Sequence, residues 1–252
     1  MNRRGFSLFA NVPAVTKNLI IINVLLWIAT LYMSKIDLTS LLGLHYWECE
    51  DFRPHQLISY MFMHSTGSMA HIFFNMFAVF MFGRVLESEW GPKRFLTYYM
   101  ITGIGAGLIQ IFVAYLRIRG LLAEMPPEAV AMVYRDGLAL MKEDKQYVDP
   151  MLSQLNALLN STTVGASGSV FGILLAFGMM FPNMPLYLIP FPFPIKAKYM
   201  VIGYSVIELF LGVANFSGDR VAHFAHLGGM LFGIILVLYW RKKDRSDGKF
   251  FY

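Results

Sequence analysis

The sequence predicts an all-α polytopic membrane protein with six transmembrane helices. Its 252 residues are 56% hydrophobic and only 15% charged. Apolar stretches close to 20 residues long recur along the chain, and an α-helix of about that length crosses a bilayer. The net charge of +5 is modest and is explained by basic residues that flank these stretches. Together these observations favour a bundle of membrane helices over a soluble core.

Six apolar segments are predicted as spans. They lie at about 18–34, 69–86, 95–116, 167–181, 199–215 and 221–240. The first and third are free of charged residues, the fourth is stopped by Pro182, and the fifth contains Glu208. The chain therefore divides into a short basic tail (1–17), a membrane domain (18–240) and a second basic tail (241–252).

Three connections between the spans are informative. The segment 56–63, within the long connection 35–70, is apolar and aromatic but too short to span, which favours a re-entrant or interfacial segment. The insertion 117–163 has helix starts at Pro126-Pro127 and Asp149-Pro150, so two amphipathic helices lying on the membrane are predicted. The segment 182–194 holds five prolines and is predicted as a loop.

The distribution of basic residues predicts the orientation. If both termini are cytoplasmic, 13 of the 21 Lys and Arg residues lie on the cytoplasmic side and 8 on the other. Positive charge accumulates on the cytoplasmic side of membrane proteins, so we expect both ends inside. The expected location is a bacterial inner membrane, with the insertion 117–163 outside.

Composition excludes several classes of protein. The charge does not call for a nucleic-acid partner. Cys49 is the only cysteine, so neither an intrachain disulfide nor a cysteine-based metal cluster can form. The first apolar run lacks a clean small-residue cleavage site and is expected to be a retained span rather than a signal peptide.

The most unusual stretch is 165–172, Gly-Ala-Ser-Gly-Ser-Val-Phe-Gly, which lies in a run without Asp, Glu, Lys or Arg from 150 to 195. Ser167 would occupy the first turn of span four, where unpaired N–H groups and the helix dipole can stabilise an oxyanion. The alternative is that Gly168 and Gly172 simply let helices approach closely.

Two further clusters favour chemistry over packing. On span six, His226, Gly229 and Gly233 share one face, so the glycines would let the histidine reach Ser167 and activate it. On span two, His71 and Asn75 share a face at the depth of Ser167 and could donate hydrogen bonds to an oxyanion. The alternative for this pair is interhelical hydrogen bonding.

Other catalytic sites are less well supported. A zinc site could use His223 and His226, which are one turn apart, together with His64 and His71. The sequence does not favour it, because it has no His-Glu-x-x-His motif and no carboxylate near these histidines in sequence. Residue 169 is Ser rather than Gly and no strand precedes Ser167, which excludes the nucleophile elbow of α/β-hydrolases.

The three motifs, in this order, resemble those of rhomboid intramembrane serine proteases, and the resemblance covers about 69–240. It implies a six-helix rhomboid-like bundle and a dyad of Ser167 as nucleophile with His226 as base. It also implies an oxyanion hole from His71, Asn75 and the backbone N–H of Ser167. The substrates implied are transmembrane segments of other proteins, with neither a metal nor an organic cofactor.

The resemblance also assigns supporting residues. Phe171 takes the place of an aromatic residue against which the histidine packs, and Gly83, Glu87 and Gly91 resemble a structural pattern at the end of span two. The predicted helix-packing glycines are Gly165, Gly168, Gly229 and Gly233.

Some features depart from the family pattern. His55-Gln56 stands where a Trp-Arg pair is expected, two extra residues separate His64 from His71, and the insertion is long. Glu208 is expected to be a buried structural acid without a catalytic role. His223 is expected nearer water than His226. The alternatives left open are an inactive relative that only binds membrane clients and, with no internal repeat to favour it, a transporter.

Overall fold

Helices form nearly all of the regular structure in this computed structural model, which describes residues 12–33, 35–187, 193–214 and 222–246. In chain order they are α1 (Ala14–Tyr32), α2 (Leu38–Leu42), α3 (Gln56–Ser59), α4 (Met69–Trp90), α5 (Pro92–Glu124), α6 (Pro127–Lys142), α7 (Pro150–Asn160), α8 (Ser167–Met180), α9 (Ala197–Ala214) and α10 (His223–Ser246). Helix α3 continues into a 3-10 turn at Tyr60–Phe62, and α4 contains a π-helical stretch at Val79–Gly83.

Among the described helices, α1, α4, α5, α9 and α10 are long and apolar enough to cross a membrane. Helix α8 is apolar but has only 14 residues. At 1.5 Å per residue it is roughly 21 Å long, less than the ~30 Å hydrocarbon core. The prediction of an all-α polytopic membrane protein is confirmed, with one helix that is shorter than the bilayer is thick.

Helices α4, α5 and α10 extend past the C-terminal ends predicted from charge, and α4 continues to Trp90 rather than ending at 86. Helix α5 continues to Glu124, beyond the charged residue Arg117 at which the span was predicted to stop. The Nη2 of Arg117 donates to the Gly212 carbonyl oxygen of α9 at 2.6 Å, and its guanidinium lies 5.2 Å from the ring centre of Phe224. A charge with such partners does not interrupt the helix. Arg241 likewise continues α10 and donates to the Met179 carbonyl oxygen at 2.7 Å.

The core lies where α8 packs between α5 and α10. A Cβ on Gly168 would collide with the Ala106 side chain of α5, and a Cβ on Gly229 would collide with the carbonyl oxygen of Gly168. Helix backbones can approach this closely only where both surfaces lack side chains. Small residues therefore decide which helices surround α8.

Hydrogen bonds from buried side chains to backbone carbonyls also fix α8 and the first loop against α5. Tyr98 donates to the carbonyl oxygen of Gly172 at 2.7 Å, and Ser169 donates to that of Tyr99 at 2.8 Å. Tyr60 donates to the carbonyl oxygen of Gly103 at 2.6 Å. In an apolar interior such bonds satisfy groups that water cannot reach, so they specify the register of the helices.

Glu87 and Gly91, two members of the structural pattern predicted at the end of span two, have clear structural roles. The Glu87 carboxylate accepts hydrogen bonds from Val15 N at 2.9 Å and from Thr16 N and Oγ1, both at 2.7 Å, at the start of α1. A carboxylate there satisfies orphan N–H groups and complements the positive end of the helix dipole. Gly91, at φ 79°, makes the turn from α4 into α5 in a conformation that favours glycine.

Gln56 organises the first loop. It is one of the two residues, His55-Gln56, at which this chain differs from the Trp-Arg pair that the resemblance leads us to expect. The side chain is fully buried. Its Oε1 accepts from the backbone N of Arg53 at 3.1 Å and of His45 at 3.3 Å, while its Nε2 donates to the Asp51 carbonyl oxygen at 2.8 Å. Tyr60, Met61 and Met63 are also buried, so 56–63 packs onto the bundle as a partly helical loop.

The insertion forms the two amphipathic helices that the sequence predicted, α6 and α7. The Asp149 side chain caps α7 by accepting from the N–H groups of Met151 and Leu152. Lys142 at the end of α6 forms a salt bridge of 2.8 Å with Asp51 in the first loop. Burial alone would raise the pKa of Asp51, but hydrogen bonds from Lys142 and Ser40 outweigh this and hold the pKa below its usual value.

The proline-rich segment 182–194 was predicted as a loop, and in the structure one short strand within it pairs in antiparallel fashion with another that directly follows the segment. Strands β1 (Pro185–Leu186) and β2 (Ile195–Lys196) pair over two residues each. Residues 188–192, the predicted span ends Ser34, Asn215 and Val221, and residues 1–11 and 247–252 of the two predicted tails lie outside the described residues.

Candidate active site

Ser167 is the first residue of α8, as predicted. Gly165, two residues earlier, has φ 136°, a conformation that side-chain-bearing residues rarely adopt, and its N–H donates to the Tyr60 carbonyl oxygen at 3.0 Å. This turn places the half-buried Ser167 at the mouth of the helix. Gly165 was predicted as a helix-packing glycine; it lies in the loop before α8, where it makes the turn and lies against His71 of α4.

His226 of α10 contacts Ser167 directly. Its Nε2 lies 2.9 Å from the Ser167 Oγ, within hydrogen-bonding distance. Its ring stacks on Phe171, one turn after the serine, with the ring centres 4.2 Å apart and the planes 8° apart. The histidine is 7% exposed. Stacking and burial restrict the imidazole to one orientation, which aims the nitrogen at the hydroxyl.

The glycines of α10 make this contact possible by two different routes. Gly229 faces Gly168, as described above, and so brings α10 onto α8. A Cβ on Gly233 would instead collide with the hydroxyl of Tyr98 on α5 and would lie 3.3 Å from Leu175. The predicted approach of α10 to α8 is thus present at Gly229, while Gly233 serves mainly the contact with α5.

His71 of α4 lies next to Gly165, and Asn75 follows it by one turn on the same face of the helix. A Cβ on Gly165 would lie 3.0 Å from His71 Nε2 and 3.5 Å from Ser167 Oγ, so this glycine separates the histidine from the serine. Asn75 is buried, and its Nδ2 donates to the His71 carbonyl oxygen at 3.0 Å. An amide nitrogen carries two hydrogens, so one donor is used within the helix.

Glu208 of α9 joins the site, which the sequence did not indicate. Its Oε2 lies 2.8 Å from His226 Nδ1 and 2.7 Å from His223 Nδ1. His223 is 7% exposed. The expectation that water reaches His223 is therefore wrong: its ring is turned inward against a carboxylate from a neighbouring helix.

The comparisons with known proteins agree with this architecture. The model of the rhomboid domain matches residues 51–123 and 139–243, well over half of the chain. The chain belongs to the rhomboid family. It is therefore an integral, multi-pass membrane protein of a family that includes proteases.

The chain is similar to two curated relatives. The chain is 27% identical to "Rhomboid protease AarA" of Providencia stuartii over 186 residues, 70% of this chain and 52% of the relative. It is 24% identical to "Rhomboid-like protein 11, chloroplastic" of Arabidopsis thaliana over 195 residues, 73% of this chain and 51% of the relative. This rhomboid spans about half the length of the curated relatives it matches.

One group of side chains in the described part of this rhomboid has the donors for a metal ion: Glu208, His223 and His226, whose donor atoms lie within 4.8 Å of one another. The sequence argument that no carboxylate joins the histidines was therefore incomplete. However, the two N···O distances of 2.7 and 2.8 Å are those of direct hydrogen bonds. Ligand atoms around a tetrahedral zinc, each at about 2.1 Å from it, stand roughly 3.4 Å apart. In this structure Glu208, His223 and His226 are therefore spaced for hydrogen bonds between their side chains.

The remaining histidine of the predicted cluster belongs to a different contact. His64, in the first loop, is 1% exposed, and its ring centre lies 5.1 Å from that of His71. Burial, with a smaller contribution from His71, lowers the pKa of His64 to about 3. A neutral His64 packs behind His71 and limits the positions that the His71 ring can take.

Proposed function

We propose that this rhomboid is an intramembrane serine endopeptidase that cleaves transmembrane segments of other membrane proteins. The observation that carries the proposal is the 2.9 Å contact between Ser167 Oγ and His226 Nε2, inside a bundle of apolar helices. A serine hydroxyl becomes a nucleophile when a neighbouring base can take its proton. The similarity to a relative named as a rhomboid protease supports the same activity.

The proposed reaction has two halves. Ser167 Oγ bonds to the carbonyl carbon of the scissile peptide, its proton passes to His226 Nε2, and the C=O electron pair moves onto oxygen. Collapse of this intermediate breaks the C–N bond, and the proton on His226 goes to the departing amine. Water then repeats the sequence on the acyl-enzyme and releases the new carboxyl end. The protein's own side chains suffice for every proton transfer.

The oxyanion would be stabilised at the mouth of α8. The first N–H groups of a helix have no intrahelical acceptor, and Ser167 is the first residue of α8, so we propose its N–H as one oxyanion donor. His71 lies across Gly165 from Ser167, and Asn75, one turn after His71 on α4, has a second N–H that we propose as a further donor. These donors would contribute mainly in the transition state, where the negative charge develops.

The short α8 supports a site below the membrane surface. With a length of roughly 21 Å, a helix that reaches one face of a ~30 Å core starts about 9 Å inside the other. With both termini cytoplasmic, as the basic residues predict, Ser167 lies in the outer half of the membrane. We propose a bacterial inner membrane as the location, with the tails 1–17 and 241–252 in the cytoplasm and the membrane domain 18–240 between them.

A second reading is supported by the similarity to a relative named only rhomboid-like. In that reading the chain binds membrane clients without cleaving them. Ser167 and His226 would then be relics with no role in turnover. The two readings differ in whether the hydroxyl of Ser167 reacts.

The deciding experiment compares the parent protein, Ser167→Ala and Ser169→Ala in detergent with a single-span substrate and a fluorophosphonate serine probe. Ser169 is the matched control, because it lies on the same helix with its hydroxyl bound to the Tyr99 carbonyl oxygen. We expect cleavage and labelling in the parent and in Ser169→Ala, and neither in Ser167→Ala. Labelling that persists in Ser167→Ala would refute the assignment, and binding without cleavage in the parent would favour the second reading.

A further inference from the structure

The carboxylate of Glu208 lies behind the proposed base, on the side opposite the serine. His226 Nε2 faces Ser167 Oγ at 2.9 Å, and its Nδ1 faces Glu208 Oε2 at 2.8 Å. The three groups come from three helices, α8, α10 and α9, so the line from hydroxyl to imidazole to carboxylate is a product of tertiary packing. Glu208 is only 8% exposed.

A buried carboxylate in an apolar bundle is costly unless N–H donors compensate it. Here one oxygen atom faces two Nδ1 atoms, those of His226 and His223. An ionised carboxylate only accepts hydrogen bonds, so both imidazoles must carry a proton on Nδ1. For His226 this choice leaves Nε2 unprotonated, which is the form that can accept the proton of Ser167.

We propose that Glu208 is a positioning residue that completes a Ser167–His226–Glu208 triad, with His223 anchoring the carboxylate. The inference rests on the proposed protease activity and adds a third member to the dyad that the family resemblance implies. Glu208 holds His226 in the Nδ1–H tautomer. It also stabilises the imidazolium that forms when Ser167 Oγ bonds to the carbonyl carbon and its proton moves to Nε2.

The proton balance needs no additional reactant. The Nδ1 proton stays on His226 throughout, Glu208 remains ionised, and the single proton that moves travels from Ser167 Oγ to Nε2 and on to the leaving amine. His223 keeps its own Nδ1 proton and, through it, fixes the position of Oε2. The carboxylate thus acts through His226 and does not contact the substrate.

A purely structural role for Glu208, as a clamp between α9 and α10, makes a different prediction. Glu208→Gln keeps an acceptor oxygen of the same size for the two Nδ1–H groups, so a clamp would survive it. The electrostatic role would not survive, because the amide is neutral and can present its NH₂ group to the imidazole. The glutamine variant therefore separates the two roles.

Glu87→Gln is the matched control. Glu87 is also a buried carboxylate with hydrogen bonds to another helix, but those bonds go to the start of α1. For Glu208→Gln we expect a fall in kcat of roughly 10²- to 10⁴-fold, with KM and Tm close to the parent's. For Glu87→Gln we expect the reverse, a lower Tm with kcat per folded molecule unchanged, because both Glu87 oxygens accept backbone N–H groups and glutamine offers only one acceptor oxygen.

Failure of the inference and failure of the proposed function give different results. An unchanged kcat in Glu208→Gln, or a loss of kcat that only follows a loss of Tm, overturns the inference while the dyad stands. Cleavage that is absent in the parent, or equal in Ser167→Ala, defeats the proposed function itself.

A second measurement does not depend on any Glu208 variant folding. Nitrogen NMR of isotope-labelled histidine in the parent protein, with the His226 signal assigned by its loss in His226→Ala, reports which nitrogen carries the proton. We expect a protonated Nδ1 and an unprotonated Nε2. The opposite tautomer overturns the inference.

Discussion

Replacing Gly229 by Ala tests whether the contact between α8 and α10 creates the catalytic geometry. The Cβ of an alanine there would collide with the Gly168 carbonyl oxygen, a backbone atom that cannot rotate away. Restoring van der Waals contact requires the two helices to separate by roughly 1 Å. The hydrogen bond of 2.9 Å between Ser167 and His226, which joins the same two helices, must lengthen accordingly.

The expected cost in rate follows from that displacement. A misplacement of about 1 Å between reacting groups can lower turnover by about 10²-fold. Overpacking of a core also costs roughly 1–3 kcal/mol of stability. We therefore expect Gly229→Ala to lose about 10²-fold in kcat and in the rate of probe labelling, with a lower Tm.

The matched control is Gly203→Ala on α9. Gly203 also lies in a membrane helix, but a Cβ there meets no atom within 4 Å. We expect parental kcat and an unchanged or slightly higher Tm, since Ala is the better helix former. A Gly229→Ala protein that cleaves and labels like the parent would refute the argument that close approach at this glycine sets the Ser167–His226 distance.

The remaining predictions concern single side chains. His226→Ala should abolish cleavage and probe labelling, whereas His223→Ala, which removes only the anchor of the carboxylate, should retain most of the kcat; the opposite ranking would show that the assignment of the base is wrong. Asn75→Ala should lower kcat by about 10²-fold without a matching rise in KM, because an oxyanion donor acts mainly in the transition state; unchanged kinetics would make it a packing residue. The pKa of Asp51 is lower in the folded protein than its ordinary value of 3.8, which applies to the unfolded chain. Its salt bridge with Lys142 therefore contributes its full stability above that ordinary value, and this stability is lost as the pH falls through the lower pKa of the folded state. The Tm difference between the parent and Lys142→Met should therefore be present at neutral pH and vanish in acid, and a difference that persists in acid would contradict this assignment.

The helices and the motifs could be predicted because they depend on local sequence. A long apolar run without proline forms a helix whatever it packs against, whereas charge marks the end of such a helix only loosely, since α5 continues past Arg117 to Glu124 and α10 continues past Arg241 to Ser246. The helical period alone puts His71 with Asn75, and His226 with Gly229, on shared faces. The order of these motifs along the chain was enough to indicate the family, which the match to the rhomboid domain then confirmed.

The contacts between side chains of different helices could not be predicted from the sequence. Glu208 and His226 are separated by 18 residues, and Glu87 and Thr16 by 71, and no local pattern links the members of either pair. From the sequence, Gly165 looked like one more small packing residue. Its positive φ arises from the turn that joins the loop to α8, and composition does not encode that turn.

The difference between what the sequence predicts and what it does not predict has a physical cause. The period of a helix determines which residues share a face, but the rotation of one helix against the next is set by the summed packing of many small residues, here Gly168 against Gly229 and Gly172 against Thr102. A rotation of a single residue step would turn Glu208 from the two histidines towards lipid. The sequence by itself thus determined the helices and indicated Ser167 and His226 as the candidate serine and base, and only the tertiary structure placed the buried carboxylate of Glu208 against that histidine.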